Sequence, residues 1–412
     1  MHRLIRFSFC LATRHSPLAI LGLLFLTGLT TAADWPQWRG PERNGLGPKS
    51  PALANSLAGL SPLWLADRIP SGDEGGRGGL VIHAGKVYGL VSAASKSSAT
   101  DDVFCLDAAN GKPLWKARLQ DSSGAQAGSS TPCIVNGKLY VVGSGNKVYC
   151  LNADSGSPIW DAKLSRTGKE PIASSIAVVG KVAVLLADVL TGLDAETGKV
   201  LWTQDQIKGR ESSPVPWNSK GRDYVICNGT RETHCVDAAD GRILWSVPGG
   251  GKSTPVVAQE YGGDFLVNLS DNRRFGLSAY RLTDQDPQKL WTLSESDRGS
   301  SPVVFDGHVY AIAGGSNGHG AHLLSIHLDT GKVAWEEVID FAEVSSPVVA
   351  DGKVFVVCGT FLSLLQATPE KYSMLSQDDY RITLCTSPTI VEGRLYVRQV
   401  NAVACYDLRA AP

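Results

Sequence analysis

A short pattern that recurs along the chain constrains its fold more than any other feature. Ser345 to Phe355 reads Ser-Ser-Pro-Val-Val-Ala-Asp-Gly-Lys-Val-Phe, and Ser300 to Tyr310 differs from it at only three positions. A short apolar run follows the proline, then a turn residue with glycine, then a second β-branched and aromatic run, which predicts a tight β-hairpin. Self-similarity at a period of 20 to 50 residues predicts a repeat architecture. The eight copies begin near Gly79, Ser130, Ser174, Ser212, Ser253, Ser300, Ser345 and Thr386.

A second repeated element follows most hairpins. Leu106 to Trp115 reads Leu-Asp-Ala-Ala-Asn-Gly-Lys-Pro-Leu-Trp, and similar stretches end at later tryptophans. A strand ends, an Asp/Asn-rich turn with glycine reverses the chain, and a new strand begins that carries the tryptophan. These tryptophans recur every 42 to 46 residues, which suits four short strands, here named A to D, in each unit. The repeat tryptophans, expected to pack between units, are Trp64, Trp115, Trp160, Trp202, Trp245, Trp291 and Trp335.

The repeats predict an all-β, eight-bladed β-propeller of four-stranded antiparallel blades, covering residues 61–409. A single blade cannot bury both of its faces, so blades stack radially. The eighth copy stops after its strand C, whereas an orphan strand with Trp64 precedes the first copy. We therefore expect residues 62–66 to complete the last blade and close the ring. In the seventh unit, which lacks a tryptophan, we expect Tyr372 to substitute for it.

The N-terminal region differs from the repeats. Residues 1–33 carry a basic stretch and an apolar core from Leu18 to Leu29, as in a signal peptide, with an uncleaved anchor as the alternative. We therefore expect a periplasmic or secreted protein without a transmembrane segment in its mature form. Residues 34–60 form a Trp/Pro/Arg segment and a linker, expected to pack on the propeller surface through Trp35 and Trp38; a plain structural plug is the alternative.

Charge and cysteine content exclude some functions and leave others open. The net charge of −1 gives no indication of nucleic-acid binding. The cysteines at equivalent repeat positions are expected to be small buried side chains. Cys227 and Cys235 flank a short loop and could form a disulfide in an oxidising compartment. The equivalent cysteines are Cys105, Cys150, Cys235 and Cys405.

The turn signature, (Leu/Val)-Asp-Ala-x-x-Gly-(Lys/Arg)-x-Leu-Trp, resembles the repeat of the pyrroloquinoline-quinone-like (PQQ-like) propellers. These include quinoprotein alcohol dehydrogenases and BamB, the propeller lipoprotein of the outer-membrane β-barrel assembly machinery. The opening Asp34-Trp-Pro-Gln-Trp-Arg-Gly-Pro41 resembles a leader of exported planctomycete members. The resemblance covers residues 34–409 and is specific for the fold rather than the activity.

The same resemblance bears on catalysis. Catalytic quinoproteins use a disulfide between adjacent cysteines, a calcium ion held by acidic and amide side chains, and an Asp base. This sequence has no adjacent cysteines, and no calcium ligand or base can be matched to it residue by residue. We therefore expect no cofactor and no metal, and a monomeric, non-catalytic binding or scaffold protein. The alternative is a PQQ- and calcium-dependent dehydrogenase of alcohols or sugars; its catalytic residues are unknown.

The binding site is expected on the face where the D–A and B–C loops lie, because these loops vary in length and sequence whereas the A–B and C–D turns do not. Guanidinium groups pair well with planar anions. This face is therefore predicted to bind an envelope protein, an acidic peptide or another anionic ligand; a solvated mixture of charges is the alternative. The candidate residues are Arg210, Arg231, Lys252, Arg273, Arg274, Arg298 and Glu343.

Four histidines, His308, His319, His322 and His327, lie close together in the sequence. They do not predict a metal site, because His308 belongs to an A–B turn at the far end of the blade from His319. His322 and His327 are separated by an odd number of residues, so they face opposite sides of a strand. Only His319 and His322, on the B–C loop, are candidates for a metal site.

Overall fold

The computed structural model describes residues 33–71, 75–94, 99–119, 129–143, 147–165, 172–283, 285–314, 320–339, 344–383 and 386–410. The predicted signal peptide, 1–33, lies outside this part of the chain except for its last residue. The described residues form a ring of eight antiparallel sheets, which confirms the predicted propeller. Along each blade the strands are hydrogen-bonded in the order A, B, C, D, as successive hairpins require.

In the first four blades the B and C strands are mostly buried along their length, whereas D strands such as Pro113–Arg118 and Pro158–Lys163 alternate between exposed and less exposed positions. In blade 3, strands B and C are joined by a tight turn at Asp188, where φ is 69°. The element β11 (Val182–Asp194) therefore contains both strands. After the orphan strand β1 (Trp64–Asp67), these blades comprise β2 (Val81–His83), β3 (Lys86–Ala94), β4 (Ala99–Asp107) and β5 (Pro113–Arg118); β6 (Cys133–Val135), β7 (Lys138–Val142), β8 (Lys147–Asn152) and β9 (Pro158–Lys163); β10 (Ala177–Val179), β11 (Val182–Asp194) and β12 (Val200–Gly209); β13 (Val215–Ser219), β14 (Arg222–Asn228), β15 (Glu232–Asp237) and β16 (Ile243–Pro248).

The remaining four blades repeat this arrangement. They comprise β17 (Val256–Glu260), β18 (Gly263–Leu269), β19 (Leu277–Arg281) and β20 (Gln288–Leu293); β21 (Val303–Phe305), β22 (His308–Gly314), β23 (Ala321–His327) and β24 (Val333–Ile339); β25 (Val348–Ala350), β26 (Lys353–Cys358), β27 (Phe361–Gln366) and β28 (Met374–Asp379); β29 (Thr389–Val391), β30 (Arg394–Gln399) and β31 (Ala402–Asp407).

The ring closes where the two ends of the chain meet. Strand β1 pairs antiparallel with β31, and Trp64 lies opposite Cys405. The eighth sheet therefore has the order β1-β31-β30-β29, and the predicted completion of the last blade is confirmed. Closure leaves no open blade whose apolar face would be exposed.

The repeat tryptophans join neighbouring blades, as predicted. The indole Nε1 of Trp160, for example, donates a 3.1 Å hydrogen bond to the carbonyl oxygen of Ala195 in the next blade. The same ring covers the turn glycine of that blade, Gly198, where an added Cβ would lie 2.5 Å from the ring. The equivalent bonds run from Trp64 to Ala108, Trp115 to Ala153, Trp202 to Ala238, Trp291 to Leu328 and Trp335 to Thr368.

The residue opposite each tryptophan on strand C must be small. Gly192 lies opposite Trp202, and a Cβ on Gly192 would approach its ring too closely. The four equivalent cysteines occupy this position opposite Trp115, Trp160, Trp245 and Trp64, which explains their recurrence.

In blade 7 the large residue of this pair is on strand C and the small residue is on strand D. Leu364 on strand C lies opposite Ser376 on strand D, so Ser376 occupies the tryptophan position. Ser376 Oγ accepts a 2.9 Å hydrogen bond from the backbone of Leu57, whose side chain is buried. The prediction that Tyr372 replaces the tryptophan was wrong, because Tyr372 packs against Trp335 of blade 6 instead, with ring centroids 5.6 Å apart.

The Ser-Ser-Pro pattern has a structural cause as well. In blades 2 to 7, the second residue of the copy accepts, through its hydroxyl, a hydrogen bond from the backbone N–H of the equivalent residue in the preceding blade. The six bonds, all of 2.8 or 2.9 Å, run in order through Gly79, Thr131, Ser175, Ser213, Thr254, Ser301 and Ser346. This hydroxyl chain links the inner strands of blades 1 to 7.

Residues 34–47 run along the inner strands of the ring, not over its surface as expected. Trp35 is 2% exposed and forms backbone hydrogen bonds with Ile82 in strand A of blade 1. The backbone N–H of Gly47 donates a 2.8 Å bond to Val349 in strand A of blade 7. Because strands A are the innermost strands of a propeller, the segment plugs the central channel. The expected surface packing was wrong for Trp35, and the alternative of a structural plug describes the segment better.

Two arginines of the plug are buried and bind blades on different sides of the ring. Arg39 donates to blade 6 and Arg43 to blade 3, just before strand A in each case. Burial lowers the pKa of both guanidinium groups, and the backbone dipoles around them compensate for their lost hydration. The acceptors are the carbonyl oxygens of Ser301, Pro302, Ser175 and Ile176.

Candidate functional site

The antiparallel strand order brings the predicted basic residues to one face of the ring. Arg210, Lys252 and Arg298 follow the D strands of blades 3, 4 and 5. The remaining three lie in B–C loops: Arg231 between β14 and β15, and Arg273 with Arg274 between β18 and β19. All six therefore belong to the D–A/B–C face. Glu343 lies outside the described residues, and a role of any of these residues in binding stays a prediction.

A pocket of about 560 Å³ opens on this face between blades 4 and 5. Arg231 and Phe275 contribute a cation and an aromatic surface to its wall. Its polar groups come from the loops after strands B, which the sequence pattern marks only as variable. The lining residues are Thr230, Arg231, Glu232, Pro248, Ser270, Asp271, Asn272 and Phe275.

Buried polar side chains fix the floor beneath this pocket. Asn228 donates 2.8 and 2.9 Å hydrogen bonds to Asn268 and to the carbonyl of Ser253, and accepts one from Thr233. These residues tie blade 4 to blade 5 and hold the two B–C loops in position. Sequence analysis missed the pair Asn228 and Asn268, although both lie near the end of a strand B.

Asp297 organises the neighbouring D–A loops. Its carboxylate accepts backbone hydrogen bonds from Lys252, Ser253 and Gly299, at 2.9, 2.6 and 2.5 Å. Burial raises the pKa of Asp297, whereas the three N–H donors oppose that shift. The loops that carry Lys252 and Arg298 are thereby held to each other.

Ion pairing differs between the two faces of the ring. On the A–B/C–D face, Arg222 and Arg242 both pair with Asp237, and Lys138 pairs with Glu196. On the D–A/B–C face of blades 4 to 6, by contrast, four of the predicted cations form no ion pair with a carboxylate of the described ranges. The unpaired cations are Arg231, Lys252, Arg274 and Arg298, all of them exposed. These four cations are therefore available to an anionic ligand, and the exposed carboxylates of Glu211, Glu232 and Asp271 on the same loops partly offset their charge.

Two features that the resemblance associates with catalytic quinoproteins are a metal site and a disulfide. In the described part of the chain, no three His, Cys, Asp or Glu side chains converge on one point. Cys227 and Cys235 are both buried, and neither forms a disulfide. Cys227 lies opposite His234 and Cys235 lies opposite Ile226, so the two thiols face opposite sides of the sheet. The described thiols therefore form no disulfide of the kind found in catalytic quinoproteins, and we derive no reaction step through the quinone.

The histidines are arranged differently from the expected pair. His319 lies outside the described residues, and His322 forms an ion pair with Glu336. His308 and His327, which sequence analysis did not bring together, are direct partners across β22 and β23. The missed signal was their position: one starts strand B and the other ends strand C, and such positions pair in a hairpin.

Comparison with known proteins agrees with the fold. The family profile described as outer membrane protein assembly factor BamB matches residues 99–210 and 187–409. No curated protein matches the sequence. Within the described residues, no helix is long and apolar enough to cross a membrane.

Among solved structures, BamB from Moraxella catarrhalis has a TM-score of 0.60 at 16% identity, covering 88% of this chain and 95% of that one. The quinohemoprotein alcohol dehydrogenase ADHIIG from Pseudomonas putida HK5 has a TM-score of 0.69 at 13% identity, with 93% and 82% covered. A europium-containing methanol dehydrogenase also has a TM-score of 0.69 at 13% identity, with 90% of each chain covered. At such identities these likenesses concern the fold alone. Together with the profile match over most of its length, the repeats show that this chain belongs to the PQQ-like β-propeller family of outer membrane protein assembly factor BamB.

Proposed function

We propose that this protein is a non-catalytic binding module of the cell envelope, whose D–A/B–C face holds an acidic segment of a protein partner or another anionic ligand. The observation that carries the proposal is the set of exposed, unpaired cations around the pocket between blades 4 and 5. The predicted export signal and membership of a family named for outer-membrane assembly support a location in the periplasm or outside the cell.

The physical basis is the difference between the two faces. A cation that already has a carboxylate partner gains little from a second one, whereas an unpaired guanidinium gains a charge-assisted hydrogen bond on binding. The pocket adds the aromatic surface of Phe275 and several backbone groups, which together select shape as well as charge. A rigid floor lowers the entropic cost of binding, because the loops are ordered before the ligand arrives.

The test is a double substitution, Arg231→Ala with Arg274→Ala, in the full-length protein. A fluorescein-labelled hexaglutamate peptide serves as a probe of charge recognition, with fluorescence anisotropy as the readout. Exposed charge pairs contribute about 0.5 to 1 kcal/mol each, so we expect roughly tenfold weaker binding in low salt. The same variants are then compared in pull-downs from envelope extract.

A matched control is available on the opposite face of blade 4. Arg222→Ala with Arg242→Ala removes two exposed arginines that are paired with Asp237, and this variant should bind the probe like the wild type. Equal loss in both variants would mean that binding follows net charge rather than the D–A/B–C face, and the proposal would be wrong.

A second candidate is a quinone-dependent dehydrogenase, favoured by the likeness in fold to quinohemoprotein alcohol dehydrogenases. Addition of pyrroloquinoline quinone with calcium, followed by dye reduction with alcohols and sugars, separates the two candidates. We expect no turnover above the protein-free background. Turnover that depends on the quinone would replace the binding module with the enzyme as the proposed function.

A further inference from the structure

Two half-buried histidines lie side by side in blade 6, at the face opposite the proposed binding site. His308 begins β22 and His327 ends β23, and the two are directly opposite in the antiparallel register. His308 Nε2 and His327 Nδ1 are 3.1 Å apart, and the ring centroids are 4.6 Å apart. Neither histidine takes part in the proposed function.

The proton positions follow from the neighbouring groups. His308 Nδ1 lies 2.8 Å from the carbonyl oxygen of Asp306. A carbonyl oxygen only accepts hydrogen bonds, so Nδ1 of His308 carries the proton and its Nε2 carries a lone pair. That lone pair is directed at His327. Without a metal ion, Nδ1–H of His327 donates a hydrogen bond to this lone pair. When the proton of His327 is on Nε2 instead, both adjacent nitrogens have a lone pair available to one ion.

From this geometry we propose that His308 and His327 bind a divalent transition-metal ion of the zinc or copper class. Two imidazole nitrogens that each lie about 2.0 to 2.1 Å from one metal ion are separated by roughly 3 to 3.4 Å, depending on the ligand angle. The observed separation lies in that range without movement of the backbone. The bond from His308 to the Asp306 carbonyl is the outer contact that commonly orients a metal-binding histidine.

The surroundings of the pair favour a cation. The Glu260 carboxyl lies close enough to His308 for electrostatic coupling, and the Asp306 carboxyl is in turn coupled to Glu260. The described residues supply no third ligand, so water would complete the coordination shell. With only two imidazoles, the site should prefer Cu²⁺ over Zn²⁺ and should not bind Mg²⁺ or Ca²⁺.

The experiment is isothermal titration of the full-length protein, prepared without a histidine tag, with Cu²⁺, Zn²⁺ and Mg²⁺. We expect one site for Cu²⁺ and for Zn²⁺ and none for Mg²⁺. His308→Gln and His327→Gln should each weaken binding at least about tenfold, the lower limit seen when even an outer-shell partner is lost. His322→Gln, in the same strand as His327, is the control and should bind like the wild type.

A spectroscopic measurement identifies the ligands independently of the variants. Electron paramagnetic resonance of the Cu²⁺-loaded wild type should show coupling to two imidazole nitrogens. In addition, Zn²⁺ should protect His308 and His327 from diethyl pyrocarbonate, as located by mass spectrometry. Unchanged titrations in both variants, or no nitrogen coupling and no protection in the wild type, would overturn the proposal.

Discussion

The turn glycine shows how one residue type serves two purposes in this chain. Gly156 has φ 70°, a conformation that costs other residues energy, and it lies beneath the ring of Trp115 from the preceding blade. The sequence shows glycine and tryptophan as members of one repeat. Their contact, however, joins two different repeats, so a pattern within one repeat predicts that the tryptophan is buried but does not identify its partner.

This contact gives a prediction about stability. Gly156→Ala combines an unfavourable φ with a Cβ 2.5 Å from Trp115, so it should destabilise the fold by about 3 kcal/mol or more. Gly137→Ala, in the A–B turn of the same blade, has φ 72° and nothing within 4 Å of the added Cβ. It should therefore cost only the backbone term, about 1 kcal/mol. Thermal melting by circular dichroism measures both.

The difference between the two variants isolates the inter-blade contact. If Gly137→Ala and Gly156→Ala lower the melting temperature equally, the tryptophan ring adjusts freely, and its contact with the glycine does not stabilise the ring.

Among the elements, the N-terminal plug is the part that sequence analysis described least well. Its tryptophans and arginines indicated an ordered segment, which the structure confirms. The predicted position was wrong because Arg39 and Arg43 bind backbone carbonyl oxygens. Every residue has a carbonyl oxygen, so the residue types of the partner strand do not reveal such a contact. The hairpins and their order were predictable, because turn residues and apolar runs act locally.

The plug carries its own prediction. Arg43→Met leaves the carbonyl oxygens of Ser175 and Ile176 without their donor, at about 1 to 3 kcal/mol for each buried group. We expect a loss of about 3 kcal/mol in the free energy of unfolding, measured in guanidinium chloride. Arg68→Met is the control, since the Arg68 side chain is 90% exposed. Similar small losses in both variants would show that the plug does not stabilise the ring.

At the scale of the whole molecule, closure could be predicted by counting strands, and so could the face to which each loop belongs. The pocket could not be predicted, because its walls come from two blades whose approach depends on inter-blade packing. The pair His308 and His327, by contrast, lies within one blade, and the hairpin register that joins the two residues was a usable signal that sequence analysis did not apply.

Buried thiols spread around the ring predict a loss of stability at high pH. Burial raises the pKa of Cys105, Cys150 and Cys405 from 9.0 to about 12. In the unfolded chain these thiols ionise near pH 9, whereas in the folded chain they keep their protons. Their contribution to stability is therefore complete below pH 9 and is lost as the pH rises towards 12. The upper limit for three thiols is about 4 kcal/mol per pH unit in this window, and solvent screening lowers their combined contribution below it.

The corresponding experiment compares melting temperatures between pH 8 and 10.5. In a triple Cys→Ala variant at these positions, the decline should be clearly shallower than in the wild type. Alanine is suitable because Ala279 already lies opposite Trp291 in blade 5. Parallel declines would assign the alkaline loss to other groups, such as the buried tyrosines.

The pairing of β1 with β31 also governs how the molecule is made. During synthesis β1 emerges long before β31. Its backbone N–H and C=O groups therefore stay without a partner strand until almost the entire chain has been translated. A nascent or prematurely terminated chain therefore lacks the strand pair that closes the ring, and we expect its unpaired strand to be accessible to chaperones and proteases. Formation of the seam between β1 and β31 is therefore the last step by which the ring can close.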